Sequence, residues 1–517
     1  MSVVVRLIER VRALSEPQRI GLGMLGLLVV SFLLRSTALH GRYWIDEGLS
    51  VGIASFPIAD IPGALRQDGS PPLYYLLLHV WISLIGDGEA RTHALSLGFA
   101  LLTVPVGFAL ARALFSERAA WFTAVVAALI PFLSYYAQET RMYALAALLS
   151  MLAAGTFALV YLAGRTRWMP AFVLSGAALI YTHNWGLFMM AGTGLALLPL
   201  LRAGRVAWRD ALIGYGAIGL LYLPWLPTLI YQAGHTGAPW STAPALTDVP
   251  GELAGLFGGA GPAIALLLVG GSGLAVYLAM RAARDARGQQ QADIVVTLGV
   301  ALLIALALAI LANLLSPAWA ARYFAALIGP LILLVGAVLS RAGNLGLVTL
   351  GLVAAIWLQP PTEKINNKSN VHHVAELLEG RVAPGDIVVS THPEQVPVAA
   401  FYFPEGLRWG SGLGWFPDTR IFDWRDALER YRDATPRRTA PMFIEALDPG
   451  QQLVLMQPIL RTASWDAPWT SLVRRRSVQW ERLLDRDPRL RRMAAIPHLG
   501  DIDLPRGVRI VLYSRTR

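Results

Sequence analysis

The stretch "GRYWIDEGLSVG", Gly41 to Gly52, sets two adjacent carboxylates, Asp46 and Glu47, directly after an apolar run and a basic, aromatic collar. Carboxylates beside hydrocarbon are costly, so such a pair marks either the exit of the chain into water or a reaction. Further ionisable groups stand at the ends of other apolar runs: Asp68 in "QDGSPPLYY", Glu139, Arg141 and Tyr143 in "QETRMYAL", His183 in "YTHNWG", and Arg322 with Tyr323 in "WAARYF". A carboxylate in a partly dehydrated setting gains proton affinity and becomes a better base toward a hydroxyl, while a neighbouring arginine keeps it from being neutralised. Arginine also offers a planar fork of donors that fits phosphate oxygens. Each residue taken singly has a simpler reading. Helix-end charges meet headgroups, His183 is a satisfied interfacial histidine, Trp185 and Trp240 join an aromatic belt, Arg141 and Arg322 snorkel, and Glu139 pairs with Arg141. The set resists that treatment, because carboxylates from three segments and two arginines are what a reaction with a base and an anionic leaving group requires.

The elements that must position these groups are apolar. Of 517 residues, 55% are hydrophobic and 15% charged, which describes a polytopic membrane protein. Runs near the roughly 20 residues needed to cross a bilayer recur from Gly21 to Leu358, whereas the chain after Gln359 has globular composition. The net charge of +10 comes from arginines spread over short loops and the tail, with no basic patch interleaved with aromatics, which argues against nucleic acid. The absence of cysteine removes disulfides, thiol catalysis and thiolate metal sites. The first run, "GLGMLGLLVVSFLLRSTAL", lacks a small-residue cleavage site and reads as a retained anchor.

One segment, "PPLYYLLLHVWISLIG" from Pro71 to Gly86, decides the side of every later loop. If it does not span, Arg6, Arg10, Arg12 and Arg19, then Arg112 with Arg118, Arg165 with Arg167, Arg202 to Arg209, Arg281 to Arg287 and Arg341 all fall on one side, the cytoplasmic one. If it spans, two of these clusters flip outward. The segment is therefore placed as an outer juxtamembrane helix. The spans become 21–39, 93–113, 119–137, 143–163, 168–183, 186–202, 210–231, 257–280, 293–315, 322–341 and 344–359, about eleven. A cytoplasmic N-terminus then puts the tail outside, together with all the ionisable residues above. A loop of some 25 residues, "QAGHTGAPWSTAPALTDVPGELAG", has no Lys or Arg and suits a lid or a substrate loop.

The chain divides at residue 359 or 360. The tail, 360–517, mixes the strand-like runs "GDIVVS", "QLVLMQ" and "RIVLYS" with helix-like "HHVAELLEGR" and "WRDALERYRD", which predicts a small soluble α/β domain. No internal repeat or low-complexity tract stands out. A base and a phosphate clamp at a membrane surface point to transfer of a group from a lipid phosphate.

In order along the chain, "WIDEGLS", "DGSPPLYYLLLHVW", "LTVPVGFALARALF", "PFLSYYAQETRMYAL", "YTHNWGLF", "YLPWLP" and "SPAWAARYF" resemble the successive blocks of the C-type (GT-C) membrane glycosyltransferases, family 39-like, related to protein O-mannosyltransferases and the lipid A aminoarabinose transferase. The resemblance covers roughly residues 20 to 345. It implies the GT-C fold, with outer juxtamembrane helices, and an inverting enzyme that moves a hexose or pentose from a polyprenyl-phosphate donor to an acceptor hydroxyl of a cell-envelope glycan, lipid or protein. In its terms Asp46 is the general base and Glu47 its positioning partner; Arg141, Arg322 and Tyr323 meet the donor phosphate; Asp68, Glu139, Tyr143 and His183 bind or orient substrate. The "KINNKSN" junction, Lys364 to Asn370, is a further segment near the site. No cofactor is expected. Asp46 and Asp68 would suit magnesium or manganese, but the sequence lacks an Asp-x-Asp motif and two arginines can neutralise the phosphate alone. Two other classes compete: a lipid-linked sugar transporter, which would carry mid-membrane charges and inverted repeats, and a non-catalytic protein that binds or assembles an envelope polymer.

Overall fold

The computed structural model describes residues 14–283, 285–459, 466–496 and 507–516; Arg6, Arg10, Arg12 and Arg284, used above to orient the chain, lie outside them. Helices form wherever the apolar runs were read. The first half comprises α1 (Glu16–Arg35), α2 (Ile45–Ala54), α3 (Ile61–Asp68), α4 (Leu73–Ile85), α5 (Glu89–Leu114), α6 (Glu117–Leu129), α7 (Pro131–Tyr136), α8 (Tyr143–Phe157) and α9 (Met169–Ile180). The second half adds α10 (Trp185–Arg202), α11 (Trp208–Tyr222), α12 (Leu226–His235), α13 (Val249–Leu256), α14 (Ala260–Ala282), α15 (Ala286–Leu315), α16 (Ala325–Arg341) and α17 (Gly343–Trp357).

Among the described residues, seven helices are long and apolar enough to cross a membrane, or eight if the bent pair α11 and α12 forms one span. Every one of the eleven expected spans falls on a helix, but three of those helices are short. Pro131 splits the 119–137 run into α6 and α7, and α9 and α17 have 12 and 15 residues. Pro224 and Pro227 bend the 210–231 run by 66°. The disputed segment is α4, 13 residues or about 20 Å at 1.5 Å per residue, well short of about 30 Å of hydrocarbon.

The bundle has two chemically different ends. At one end, Arg112 pairs with Glu16, Arg205 and Arg281 pair with Asp293, Arg118 donates to the Gly343 carbonyl, and Arg341 donates to Gln291. At the other end the chain ends or turns at Trp44, Asp68, Arg141, His183 and Arg322. The loop arginines therefore sort together, as the alternation of spans demands.

Among the described residues the C-terminal part forms a six-stranded mixed sheet, ordered β3-β2-β1-β4-β6-β5. Its strands are β1 (Ile387–Ser390), β2 (Arg408–Ser411), β3 (Gly414–Trp415), β4 (Gln452–Pro458), β5 (Leu490–Ile496) and β6 (Val508–Arg515). Strand β1 is parallel to both neighbours, and the β4–β6 pair is antiparallel. Around the sheet lie α18 (Thr362–Asn366), α19 (Val371–Leu378), α20 (Val396–Tyr402), α21 (Ala427–Asp433), α22 (Pro436–Glu445) and α23 (Pro468–Arg486). Tyr43 and Val51 join the core on one side of the sheet, with Val388, Val398 and Val454, so the segment carrying Asp46 is built into both parts of the molecule.

Candidate active site

Helix α2 begins at Ile45, after an extended Trp44 whose carbonyl accepts from the backbone N–H of Glu47 and Gly48. Acids in a first turn are favoured by the partial positive charge of the helix start. Adjacent helical residues point about 100° apart, so the two carboxylates cannot share a face. Asp46 turns into a cavity of about 430 Å³, and Glu47 turns inward, fully buried.

The cavity brings together most of the residues expected from sequence. Asp46, Asp68, Arg141, Tyr143, His183, Arg322 and Tyr323 all line it. Asp46 Oδ2 lies 3.5 Å from Arg322 Nη2 and 4.0 Å from Arg141 Nη2. Arg141 is further fixed by donating to Ser50 Oγ at 3.0 Å and to the Tyr75 hydroxyl at 3.3 Å. The Arg322 guanidinium lies 5.1 Å from the Trp240 ring centre and 5.8 Å from that of Trp44, a boxed position for a cation. Three buried donors, Arg141 Nε, Arg322 Nε and the Tyr143 hydroxyl, have no hydrogen-bond partner among the described residues. Buried donors are rarely left so, and their convergence on a carboxylate-lined cavity suits a bound anion.

Asp68 closes α3, and Gly69 follows at φ +101°. A Cβ at Gly69 would stand 2.8 Å from Thr236 Oγ1, so glycine satisfies both the backbone angle and the close approach. Burial pushes the Asp68 carboxyl up, and Asp46 adds to that against the pull of Ser70 and Arg141. His183 accepts from the Trp185 N–H through Nδ1 at 3.1 Å. Its ring packs edge-on against that of Tyr323, with centres 4.9 Å apart.

Glu47 and Glu139 stand elsewhere. Neither lines the cavity. Glu47 accepts from His93 Nε2 at 2.6 Å, Lys368 Nζ at 2.6 Å and the Thr140 N–H at 2.8 Å. Lys368 also lies 3.7 Å from Glu139, which accepts from Trp44 Nε1 at 3.1 Å. Burial alone would raise the Glu47 carboxyl, but the ammonium of Lys368 and the His93 ring outweigh it and hold Glu47 well below the usual carboxylate range. This buried cluster fastens both sides of Trp44 and the start of α2. The "KINNKSN" junction does reach the site region, through Lys368.

The C-terminal part forms the remaining wall, which the sequence reading did not include. His392, Glu394, Gln395 and Trp424 line the cavity. The signal for them was "THPEQ" directly after the "GDIVVS" strand, since residues leaving the carboxyl end of a parallel strand commonly face a ligand. Backbone bonds seat this wall on the loops of the bundle: Trp424 N–H to Gln67 O at 3.0 Å, Asp426 N–H to His235 O at 2.7 Å, and Trp469 N–H to Pro239 O at 3.0 Å. The expected lid loop contributes Gly237, Ala238 and Trp240. Among the described residues no group of three or more His, Asp or Glu is placed to hold a metal ion.

No family model matches the sequence, and no curated protein matches it. Solved structures do. ArnT from Cupriavidus metallidurans bound to undecaprenyl phosphate aligns with a TM-score of 0.57 at 17% identity, over 86% of this chain and 94% of that one. The arabinofuranosyltransferase AftD from Mycobacteria aligns with a TM-score of 0.55 at 14% identity, over 98% of this chain and 40% of that one. The oligosaccharyltransferase AglB from Archaeoglobus fulgidus, in complex with an inhibitory peptide and a dolichol-phosphate, aligns with a TM-score of 0.51 at 11% identity, over 84% and 69%. The chain therefore has the fold of the C-type membrane glycosyltransferases.

Proposed function

We propose that the protein is an inverting glycosyltransferase that moves a sugar from a polyprenyl-phosphate donor to an acceptor hydroxyl on the extracytoplasmic face of the membrane. The observation that carries this reading is the Asp46 carboxylate facing a cavity between two guanidiniums, at 3.5 and 4.0 Å. The donor phosphate binds Arg141, Arg322 and the Tyr143 hydroxyl; Arg141 Nε, Arg322 Nε and that hydroxyl have no other hydrogen-bond partner among the described residues. That draws the guanidiniums from Asp46 and leaves its carboxylate facing the acceptor. Asp46 removes the hydroxyl proton as the acceptor oxygen forms its bond to the anomeric carbon; the bond from that carbon to the phosphate oxygen breaks, and polyprenyl phosphate leaves with the electron pair. A single displacement inverts the anomeric centre.

ArnT bound to undecaprenyl phosphate and AglB bound to a dolichol-phosphate support a lipid-phosphate ligand in this fold. The clustering of loop arginines at the end opposite the cavity supports a cytoplasmic N-terminus and an extracytoplasmic sheet domain from about residue 360. Asp46 and Asp68 are the oxygen pair a magnesium or manganese ion would use, and the two arginines supply the same neutralisation without one. The test is reconstitution in liposomes with polyprenyl-phosphate hexoses and pentoses of known anomeric configuration. Product of opposite configuration supports the reading. Retained configuration, or transport of intact donor without transfer, overturns it.

A further inference from the structure

The wall supplied by the C-terminal part has chemistry that the base and phosphate clamp do not use. The chain leaves β1 as Thr391 to Gln395, held rigidly at several points. Tyr431 donates to the Thr391 carbonyl at 2.7 Å, Ser390 Oγ donates to the His392 carbonyl at 2.8 Å, and Glu394 Oε1 accepts from Trp469 Nε1 at 2.7 Å with His392 Nε2 also at 2.7 Å. That leaves Glu394 Oε2 and both polar atoms of the Gln395 amide without a partner among the described residues, although Glu394 is 4% exposed and Gln395 1%. Burying a carboxylate oxygen and a whole amide unpaired is costly, and both residues line the cavity. Beside them stands the Trp424 ring, braced by Trp469 at 5.3 Å between ring centres.

The groups with unmet bonds stand on two walls. Arg141, Arg322 and Tyr143 line the bundle wall together with Asp46 and Asp68, and Glu394 with Gln395 lines the wall from the sheet, whose lining residues include no arginine or lysine. An anion belongs on the first side and is repelled by the second. A sugar fits the second: one hydroxyl donates to Glu394 Oε2, its neighbour accepts from and donates to the Gln395 amide, and the apolar C–H face of the ring lies on an indole. We propose that Glu394, Gln395 and Trp424 form the acceptor subsite, and that the acceptor is a neutral saccharide with adjacent hydroxyls, a proposal that rests on reading this cavity as a transferase site.

The test uses the full-length protein in lipid nanodiscs and a panel of neutral mono-, di- and trisaccharides of hexoses and pentoses beside their uronic-acid counterparts, read by saturation-transfer NMR. Undecaprenyl phosphate binding, read by tryptophan fluorescence, is measured on the same samples. At least one neutral member is expected to bind more tightly than its uronic-acid counterpart, and its signal to fall at least fivefold in Glu394→Gln and in Gln395→Leu while undecaprenyl phosphate binds as before. Glu394→Gln keeps the oxygen that Trp469 needs, and Gln395→Glu, a second variant, should reject the uronic acids further. Failure of every neutral member to bind, or equal binding by the variants, overturns the subsite. Saccharide binding in a protein that does not bind undecaprenyl phosphate would leave the subsite standing and sink the transfer reading.

Discussion

Replacing Lys368 with methionine removes one ammonium from a site where it and its partner are almost wholly out of water, at 1% and 0% side-chain exposure. At 2.6 Å from Glu47 Oε2, the lost attraction is about 6 kcal/mol at an effective dielectric constant of about 20. Part of that only offsets the desolvation of the two ions, and breaking buried pairs elsewhere costs about 3–5 kcal/mol. The variant leaves Glu47 and Glu139 buried with the His93 ring as the remaining ionisable partner on Glu47, so we expect a loss of about 3–5 kcal/mol in reversible detergent unfolding of the purified protein. Glu47→Gln with Lys368→Met should recover at least half of it, because Glu47, the closer partner of Lys368, is then no longer a buried charge. The pH dependence has a definite sign. Glu47 is held below its unfolded value of about 4.3, so its contribution is full above that value and is lost as pH falls through the lower folded value. The gap between parent and Lys368→Met should therefore be widest above about pH 5 and narrow toward pH 3. A loss under 1 kcal/mol, or strictly additive single variants, would refute the cluster as the anchor of α2.

Three further outcomes follow from the geometry. Gly48 and Gly52 let α2 meet the C-terminal part at backbone distance, since a Cβ at Gly48 would lie 2.5 Å from Val398 Cβ and one at Gly52 2.0 Å from the Arg420 carbonyl oxygen. Gly48→Leu should detach the sheet from the bundle, seen as new protease cleavage between residues 359 and 371, and an uncut chain would contradict that. Arg322→Lys keeps the charge but loses the fork, so kcat/KM for a polyprenyl-phosphate sugar should fall about 10- to 100-fold, mainly through a raised donor KM; unchanged kinetics would remove Arg322 from the clamp. Because the chain has no cysteine, single cysteines report sidedness cleanly. One at Glu405 should react with an impermeant thiol reagent applied outside cells and one at Arg209 should not, both positions being exposed; the reverse would invert the topology.

The helices were legible because each apolar run must bury or meet lipid, and proline marked most of the breaks. Asp46, Asp68, Arg141, His183 and Arg322 were legible because a charge at the end of an apolar run is expensive and therefore informative. The split between Asp46 and Glu47 was also within reach, since neighbours on a helix diverge by about 100°, but which of them faced the cavity depended on His93 and Lys368, 46 and 321 residues away. Lys368 sat in a polar junction that composition alone cannot distinguish from a linker. In the C-terminal part the three β-branched runs became β1, β4 and β6, the adjacent strands of the sheet centre. Strand β2, "RWGS", and strand β5, "LRRMAAI", are partly exposed and carry arginines, so they lacked the apolar signal of a buried strand. The wall of His392, Glu394 and Gln395 was missed for a related reason: its residues have no periodicity, and only the docking of the sheet over the bundle brings them to the cavity.

The central claim is that Asp46 is the base. Asp46→Asn removes the proton acceptor while keeping size and polarity, and a general base contributes about 10²- to 10⁴-fold. In proteoliposomes given a polyprenyl-phosphate sugar, the variant should bind donor with the parent's affinity and transfer sugar at least a hundredfold more slowly. Turnover within a factor of a few of the parent, with donor binding intact, would contradict the account.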